Sequence, residues 1–127
     1  MIATPLDDVS RYISFDDNFA RDWQDIFKDP TISKRYYNKF EQLYLNLISY
    51  GHEKCHSMFP KKYDVVADSK VGLLKIDFQN KPINLRVFYC FDKIQRKYIF
   101  LHCFNKGKGA DYNLAIKKAE GRLKAIL

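Results

Sequence analysis

The sequence lacks any apolar run long enough to cross a bilayer, which requires about 20 consecutive apolar residues. It also lacks the basic and then apolar N-terminal segment that directs secretion, since its first charged residues are Asp7 and Asp8. No internal repeat, low-complexity tract or Gly/Ser-rich linker divides its 127 residues, a length that suits one hydrophobic core. These absences predict a single domain over residues 1–127, located in the cytoplasm and without a membrane partner.

Cysteine is scarce: the chain has Cys55, Cys90 and Cys103. They form an odd set without a CxxC pair or a disulfide-framework spacing, so we expect buried free thiols. The one metal-like cluster is His52, Cys55 and His56, which would need a further ligand such as His102 or Cys103 for a tetrahedral zinc site. Zinc sites usually contain a second closely spaced ligand pair. We therefore favour two solvated loop histidines and predict neither a metal nor another cofactor.

Charge is unevenly distributed along the chain. The net charge is +7, from 22 Lys and Arg against 15 Asp and Glu. Residues 1–50 hold 6 basic against 8 acidic side chains, whereas residues 51–127 hold 16 against 7. A polyanion such as RNA suits the second half, because binding to phosphates releases counterions and long-range attraction speeds encounter. The alternative is a basic surface that serves only solubility.

Apolar periodicity divides the chain into short strands and helices. We predict a strand at 12–15, helices at 16–28 and 31–50, strands at 73–78, 83–91 and 98–104, and a helix at 111–127. The short connections between the last three strands favour antiparallel hairpins, because a parallel return needs a crossover of about a dozen residues or more. The predicted fold is therefore α+β, of order β-α-α-β-β-β-α. A small antiparallel sheet carries an N-terminal two-helix hairpin on one face, together with a C-terminal helix.

Alternation along the predicted strands sorts polar side chains onto one face of the sheet. In the middle strand, Leu85 and Val87 suit packing beneath the helices, which leaves Arg86 on the opposite face. On that open, concave face we expect four basic side chains with two rings between them: Lys75, Arg86, His102 and Lys106, with Phe88 and Phe104. This mixture suits RNA, because cations neutralise phosphates and rings stack on bases.

Three segments of the second half resemble one protein family in order and spacing. They are Gly72-Leu73-Leu74-Lys75-Ile76, Leu85-Arg86-Val87-Phe88-Tyr89 and Phe100-Leu101-His102-Cys103-Phe104-Asn105-Lys106. Together they resemble the strands of the RelE/HigB toxins of type II toxin–antitoxin systems, within the RelE/ParE superfamily, and the phage-derived branch is the most similar. The resemblance is close over residues 65–127. Before that, only the two-helix hairpin corresponds.

The resemblance implies an endoribonuclease that cuts mRNA in the ribosomal A site, by attack of a ribose 2′-OH on the adjacent phosphate and without a metal. By the matching motifs, the resemblance implies that Arg86 is the family's arginine that stabilises the transition state. It also implies that Lys75 is the basic residue of the first matching strand and that Lys106 belongs to the basic loop after the last strand. Such cations stabilise a phosphorane more than the ground state. His102 is a candidate general acid or base, with a purely structural histidine as the alternative. The predicted RNA-binding residues are Lys70, Phe88, Phe104, Lys108 and Tyr112.

The chain departs from the family pattern in the loop after the last strand. Gly107 replaces the second lysine of an F-x-K-K motif, and Gly109-Ala110-Asp111 replaces a Thr-Pro helix start. One alternative is a ParE-like toxin that inhibits DNA gyrase by binding to it, and another is a member that only binds an antitoxin. All three possibilities predict a cognate antitoxin that covers the basic face in a hetero-oligomer. The nuclease also predicts the ribosome and mRNA as partners.

Overall fold

The computed structural model describes residues 9–78, 82–106 and 112–126, which form four helices and five strands. In chain order these are β1 (Ile13–Phe15), α1 (Phe19–Ile26), α2 (Pro30–Tyr50), α3 (His52–Met58), β2 (Tyr63–Val65), β3 (Leu74–Asp77), β4 (Leu85–Asp92), β5 (Lys97–Asn105) and α4 (Tyr112–Ile126). The predicted α+β fold is confirmed. None of the described helices has the length and apolar character needed to cross a membrane.

The five strands form one sheet in the order β1-β5-β4-β3-β2. β3, β4 and β5 pair antiparallel, as predicted, and β2 pairs antiparallel with β3. β1 instead pairs with β5 in parallel, with Ile13 opposite Tyr98 and Phe15 opposite Phe100, so the sheet is mixed. The sequence pattern did not predict α3 or β2, which are only 7 and 3 residues long.

α2 supplies the main apolar helix surface. Asp29 caps its start, because Oδ1 accepts a hydrogen bond from the Thr31 backbone N–H at 2.8 Å. Pro30 occupies the first turn, where no backbone donor is needed. Its buried side chains recur every three or four residues: Tyr36, Phe40, Leu43, Tyr44 and Leu47. The helix ends at Gly51, whose φ of +82° is a conformation that glycine tolerates best.

α1 and α2 pack on one face of the sheet through aromatic side chains. The Phe19 and Phe40 rings stack with their centres 5.9 Å apart, and Phe40 meets Phe100 of β5 edge-on at 5.1 Å. Trp23 Nε1 donates a hydrogen bond to Ser33 Oγ at 2.9 Å, which joins α1 to α2. Since aromatic rings bury large apolar areas, this layer is the main core of the domain.

α4 covers much of the opposite face of the sheet. Its buried side chains are Ala115, Ile116, Ala119 and Leu123. They form one apolar cluster with Phe88 of β4 and Phe104 of β5, which are 0% and 7% exposed. The prediction that this face is open is therefore wrong for the part beneath α4. Small alanine side chains allow the helix to lie close to the sheet.

A β-bulge changes which side chains of β5 lie on each face. Val87 pairs with Cys103, but Tyr89 pairs with Phe100, so β5 has one more residue than β4 over this stretch. An extra residue shifts the alternation by one position. Phe100 therefore packs beneath α2 with Cys103, whereas Leu101 packs beneath α4. Strict alternation from His102 and Phe104 would instead place Phe100 on their face and Leu101 on the other.

Candidate functional site

Arg86 of β4 lies opposite Asp77 of β3 and forms an ion pair with it. Arg86 Nε is 3.0 Å from Asp77 Oδ1, although the two atoms do not make an aligned N–H···O hydrogen bond. Arg86 Nη1 donates a hydrogen bond to Asn84 Oδ1 at 2.8 Å. Only 13% of the Arg86 side chain and 17% of the Asp77 side chain are exposed, so solvent screens this pair weakly.

Two lysines lie over the ring of Tyr112, the first residue of α4, and Lys75 also approaches the Asp77 carboxylate. Lys75 Nζ lies 3.8 Å from Asp77 Oδ2 and donates a hydrogen bond to the Tyr112 hydroxyl at 3.4 Å. Lys75 Nζ and Lys106 Nζ lie 5.8 and 5.2 Å from the centre of the Tyr112 ring, both within reach of a cation–π interaction. The structure thus brings together four of the residues predicted from the sequence: Lys75, Arg86, Lys106 and Tyr112.

Positive charge is in excess at this site. We call Lys75, Arg86 and Lys106 the cation cluster, and the Asp77 carboxylate lies among them. Burial raises the pKa of Asp77 above its usual value, and attraction to Arg86, Lys75 and Lys106 opposes the rise without cancelling it. Asp77 and Asp64, which lies opposite Lys75, together neutralise at most two of the three cations. The cluster therefore favours an anionic ligand, such as a phosphate group.

Phe88 and Phe104 lie beneath the cluster as an apolar floor. Their rings meet edge-on with centres 5.1 Å apart, and both contact the Tyr112 ring, at 5.6 and 5.9 Å. Stacking on RNA bases requires an accessible ring face, and these two rings are buried by α4 and Tyr112. The predicted stacking surface is therefore wrong for Phe88 and Phe104. Tyr112 is the partly exposed ring at this position.

His102 lies apart from the cation cluster, in a buried contact with α1 and α4. His102 Nδ1 is 2.9 Å from Asp22 Oδ2, and Arg122 binds the same carboxylate with both terminal nitrogens. Arg122 Nη1 also donates a hydrogen bond to the Leu101 carbonyl at 2.7 Å. The expected position of His102 beside Lys75 and Arg86 is wrong, because Phe88 and Phe104 lie between its position and theirs in the sheet.

Asp22 is the centre of this second polar group, which joins α1, β5 and α4. Burial acts to raise the pKa of Asp22, but hydrogen bonds with His102 and Arg122 outweigh it and leave the pKa below its usual value. Arg122 also lies 3.6 Å from Asp16 through Nε. With the His102 side chain only 8% exposed, the arrangement is that of a structural histidine. The structural alternative named above is thus the one that this geometry favours.

The histidines of the zinc alternative point to partners within the protein. His52 Nδ1 contacts the Tyr89 hydroxyl at 2.5 Å, and His56 Nδ1 contacts the Tyr63 carbonyl at 2.6 Å. Burial raises the pKa of the Cys55 thiol, which disfavours the thiolate that zinc requires. Within residues 9–78, 82–106 and 112–126, no group of three or more His, Cys, Asp or Glu side chains is placed to hold a metal ion.

The remaining predicted residues lie elsewhere. The Lys70 backbone N–H donates to Glu120 Oε2 at 3.1 Å, two turns along α4 from Tyr112 and therefore away from the cation cluster. Lys108 falls outside the residues that the structure describes. The three cysteines are buried free thiols, as predicted. Burial raises the pKa of Cys90 to about 11, so this thiol stays protonated at neutral pH.

Sequence reasoning missed the acidic residues of both polar groups. Alternation along the strand puts Asp77 on the same face as Lys75, so a register that sets Asp77 opposite Arg86 is the signal that could have identified it. Asp22 and Arg122 are 100 residues apart in the chain, and no spacing pattern indicates that they meet. The ion pairs that define both sites thus depend on tertiary placement.

Comparison with curated proteins gives no match. A family model described as "Phage derived protein Gp49-like (DUF891)" matches residues 35–124, which is more than half of the chain. The matched range includes every member of the cation cluster together with Asp77 and Tyr112, but not Asp22. The chain therefore belongs to the Gp49-like family of phage-derived proteins, which is associated with the toxins of toxin–antitoxin systems in the RelE superfamily.

Proposed function

We propose that the protein is the toxin of a type II toxin–antitoxin pair and that it cuts mRNA on the ribosome. The family supports the toxin assignment. The observation that carries the nuclease assignment is the convergence of Lys75, Arg86 and Lys106 around one carboxylate beside Tyr112. Three cations at one point of a small domain suit the reacting phosphate of an RNA chain.

The reaction that fits these groups is internal transesterification. The ribose 2′-oxygen attacks the adjacent phosphorus, the bond from phosphorus to the 5′-oxygen breaks, and a 2′,3′-cyclic phosphate and a 5′-hydroxyl result. The pentacovalent intermediate gathers negative charge, which the ammonium groups of Lys75 and Lys106 stabilise together with Arg86. Arg86 Nε pairs with Asp77 and Nη1 donates to Asn84, and we propose that Nη2 binds a phosphate oxygen.

Asp77 and Tyr112 carry out the two proton transfers. The Asp77 carboxylate, with its raised pKa, accepts the proton of the 2′-hydroxyl. The Tyr112 hydroxyl lies 3.4 Å from Lys75 Nζ and donates a proton to the departing 5′-oxygen. No step in this scheme requires a metal ion, because cationic side chains take the place of a Lewis acid.

The proposed partners follow from the charge distribution. The second half of the chain holds 16 basic against 7 acidic side chains, which suits ribosomal RNA and mRNA. A toxin of this kind also needs a cognate antitoxin in the cytoplasm. We propose that the antitoxin carries acidic groups and blocks the cation cluster in a hetero-oligomer.

The decisive experiment is to map transcript ends after brief induction of the protein, with Arg86→Ala expressed to the same level. Codon-phased cuts within translated regions, absent in the variant, are the expected result. Cuts without codon phase contradict the ribosome-dependent mechanism, and growth arrest without any new transcript ends contradicts the nuclease.

The ion pair between Arg86 and Asp77 favours a second candidate, a ParE-like toxin that inhibits DNA gyrase by protein binding. In that case Arg86 is a buried structural cation rather than a phosphate ligand. Gyrase supercoiling assays with purified protein distinguish the two. Inhibition that survives in Arg86→Lys, without cleavage of RNA, identifies the gyrase toxin.

A further inference from the structure

A second pairing of a cation with an exposed ring lies at the edge of the sheet. Lys62 Nζ is 5.4 Å from the centre of the Phe59 ring, and 41% of Phe59 is exposed. The turn between them is fixed, because the Lys62 backbone N–H donates to the Phe59 carbonyl at 3.0 Å. The Phe59 ring also meets the buried Tyr63 ring at 6.5 Å, which anchors one side of it. The ring is therefore held in place while part of it remains accessible.

Lys62 lies in line with the cation cluster. The Asp77 backbone N–H donates to the Lys62 carbonyl at 2.8 Å, which extends the pairing of β2 with β3 by one position. Asp77 in turn lies opposite Arg86. Lys62, Asp77 and Arg86 thus form one row across three strands, and Lys62 is about 10 Å from Arg86 at the usual strand spacing. Residues on one row share one face of the sheet.

We propose that Phe59 and Lys62 form a platform for single-stranded RNA that continues beyond the cation cluster. A base stacks on the exposed face of Phe59 and the Lys62 ammonium binds the adjoining phosphate. The proposal rests on the proposed function for its ligand class. Rings beside cations are the usual means of binding single strands without sequence preference, because each base has a π-face and each linkage a negative charge.

The acidic side chains beside the platform already have other partners, and Asp77, opposite Lys62, is paired with Arg86 and Lys75. Asp64 of β2 accepts a hydrogen bond from the Val65 backbone N–H at 2.8 Å and lies 3.9 Å from His56 Nδ1. It also sits opposite Lys75 rather than in the row of Lys62. Among the described residues, neither Asp64 nor Asp77 lies within ion-pair distance of Lys62, although both lower the positive potential around it.

The test measures binding of fluorescein-labelled 2′-O-methyl RNA, which cannot undergo attack by its 2′-oxygen, to the full chain by fluorescence anisotropy. We expect Phe59→Ala to weaken binding of an octanucleotide about fivefold or more, the least that loss of a stacked ring gives. Phe59→Tyr, which keeps a ring, should bind more tightly than Phe59→Ala. Lys62→Ala should reduce the slope of log affinity against log salt by about 0.7, as for one lost phosphate contact on a single strand.

The chain offers a matched control in Lys54 of α3, whose Nζ lies 5.7 Å from the ring centre of Tyr50 at the end of α2. Lys54→Ala removes the same charge from a similar pair outside the row, and octanucleotide binding should stay unchanged. A dinucleotide has one phosphate, which cannot contact the cluster and Lys62 at once, so the wild type and Lys62→Ala should bind it equally.

Different outcomes separate this inference from the proposed function. Equal octanucleotide binding by the wild type, Phe59→Ala and Lys62→Ala overturns the platform, and so does a wild type that binds no octanucleotide. If Phe59→Ala loses affinity only for the antitoxin, the surface belongs to a protein partner and the inference is also wrong. If the platform variants weaken RNA binding but the wild type makes no codon-phased cuts, the platform stands and the nuclease assignment fails.

Discussion

Arg86 Nε lies 3.0 Å from Asp77 Oδ1, across two neighbouring strands and largely out of solvent. The residue placed at the transition state by family resemblance is therefore also part of a buried ion pair. A cation on an open sheet face could be removed without affecting folding. Arg86 cannot, because its removal leaves the Asp77 carboxylate buried with weaker partners.

We predict that Arg86→Ala lowers both cleavage and stability. Loss of one electrostatic contact to the reacting phosphate should reduce cleavage about 100-fold or more. Breaking a fully buried pair costs about 3–5 kcal/mol, and partial exposure here should bring the loss in the free energy of unfolding to about 2 kcal/mol. Cleavage of ribosome-bound mRNA and urea unfolding measure the two effects.

The double variant Arg86→Ala with Asp77→Asn separates these effects. Replacing the carboxylate by a neutral amide removes the uncompensated charge, so part of the lost stability should return. Cleavage should not return. Recovery of cleavage in the double variant would contradict both the contact of Arg86 with the phosphate and the proposed role of Asp77 as the base.

We predict that Lys75→Ala and Lys106→Ala each reduce cleavage about 100-fold while leaving the fold intact. Their ammonium groups are nearer to solvent than Arg86, so the change in the free energy of unfolding should stay within about 0.5 kcal/mol. Lys117→Ala is the matched control, since Lys117 is an exposed lysine on α4 whose loss removes the same charge. A similar loss in Lys117→Ala would mean that net charge, not the cluster, matters for cleavage.

The order of the main elements and the shared face of Lys75 and Arg86 could be predicted from the sequence, because strand alternation and short connections determine them locally. The side chains around His102 could not. The bulge between the pairs Phe88–His102 and Tyr89–Phe100 adds one residue to β5 and reverses the facing of Phe100 and Leu101. Whether a strand contains such a bulge depends on packing from both sides, which a sequence pattern does not record.

The position of α4 was equally beyond local prediction. An amphipathic pattern identifies the apolar face of a helix but not the surface on which that face packs. Here α4 packs over Phe88 and Phe104, which turns two expected base-stacking rings into core. The same packing places Tyr112 over Lys75 and Lys106 and completes the cluster.

We predict that His102→Gln loses stability rather than cleavage. His102 contacts Asp22 and lies away from the cluster, so cleavage per folded molecule should remain within about tenfold of the wild type. Loss of a largely buried contact to a charged group should lower the free energy of unfolding by about 1.5–3 kcal/mol. A loss of cleavage beyond 100-fold, at unchanged stability, would restore His102 as a general acid or base.

We predict that cleavage does not depend on a protein-bound metal. The Nδ1 atoms of His52 and His56 are engaged by Tyr89 and Tyr63, and the proposed reaction uses cationic side chains. Protein treated with EDTA and then freed of chelator should cleave at the untreated rate on ribosomes supplied with magnesium. Loss of activity that zinc restores would instead revive the site at His52, Cys55 and His56.

We predict that Asp22 contributes stability that is lost in acid. Its pKa in the folded protein lies below the usual value of 3.8, so the unfolded chain binds more protons there and stability rises with pH through this window. The contribution is therefore complete above about pH 3.8 and declines as the pH falls through the folded pKa. Urea unfolding of the wild type and Asp22→Asn at a series of pH values should give a difference in the free energy of unfolding that is largest near neutrality and shrinks below about pH 3.8.

Asp25→Asn, which removes an exposed carboxylate from the same helix, is the matched control. A difference for Asp22→Asn that stays constant from neutral pH to pH 3 would mean that the contact with His102 and Arg122 does not depend on the ionised carboxylate.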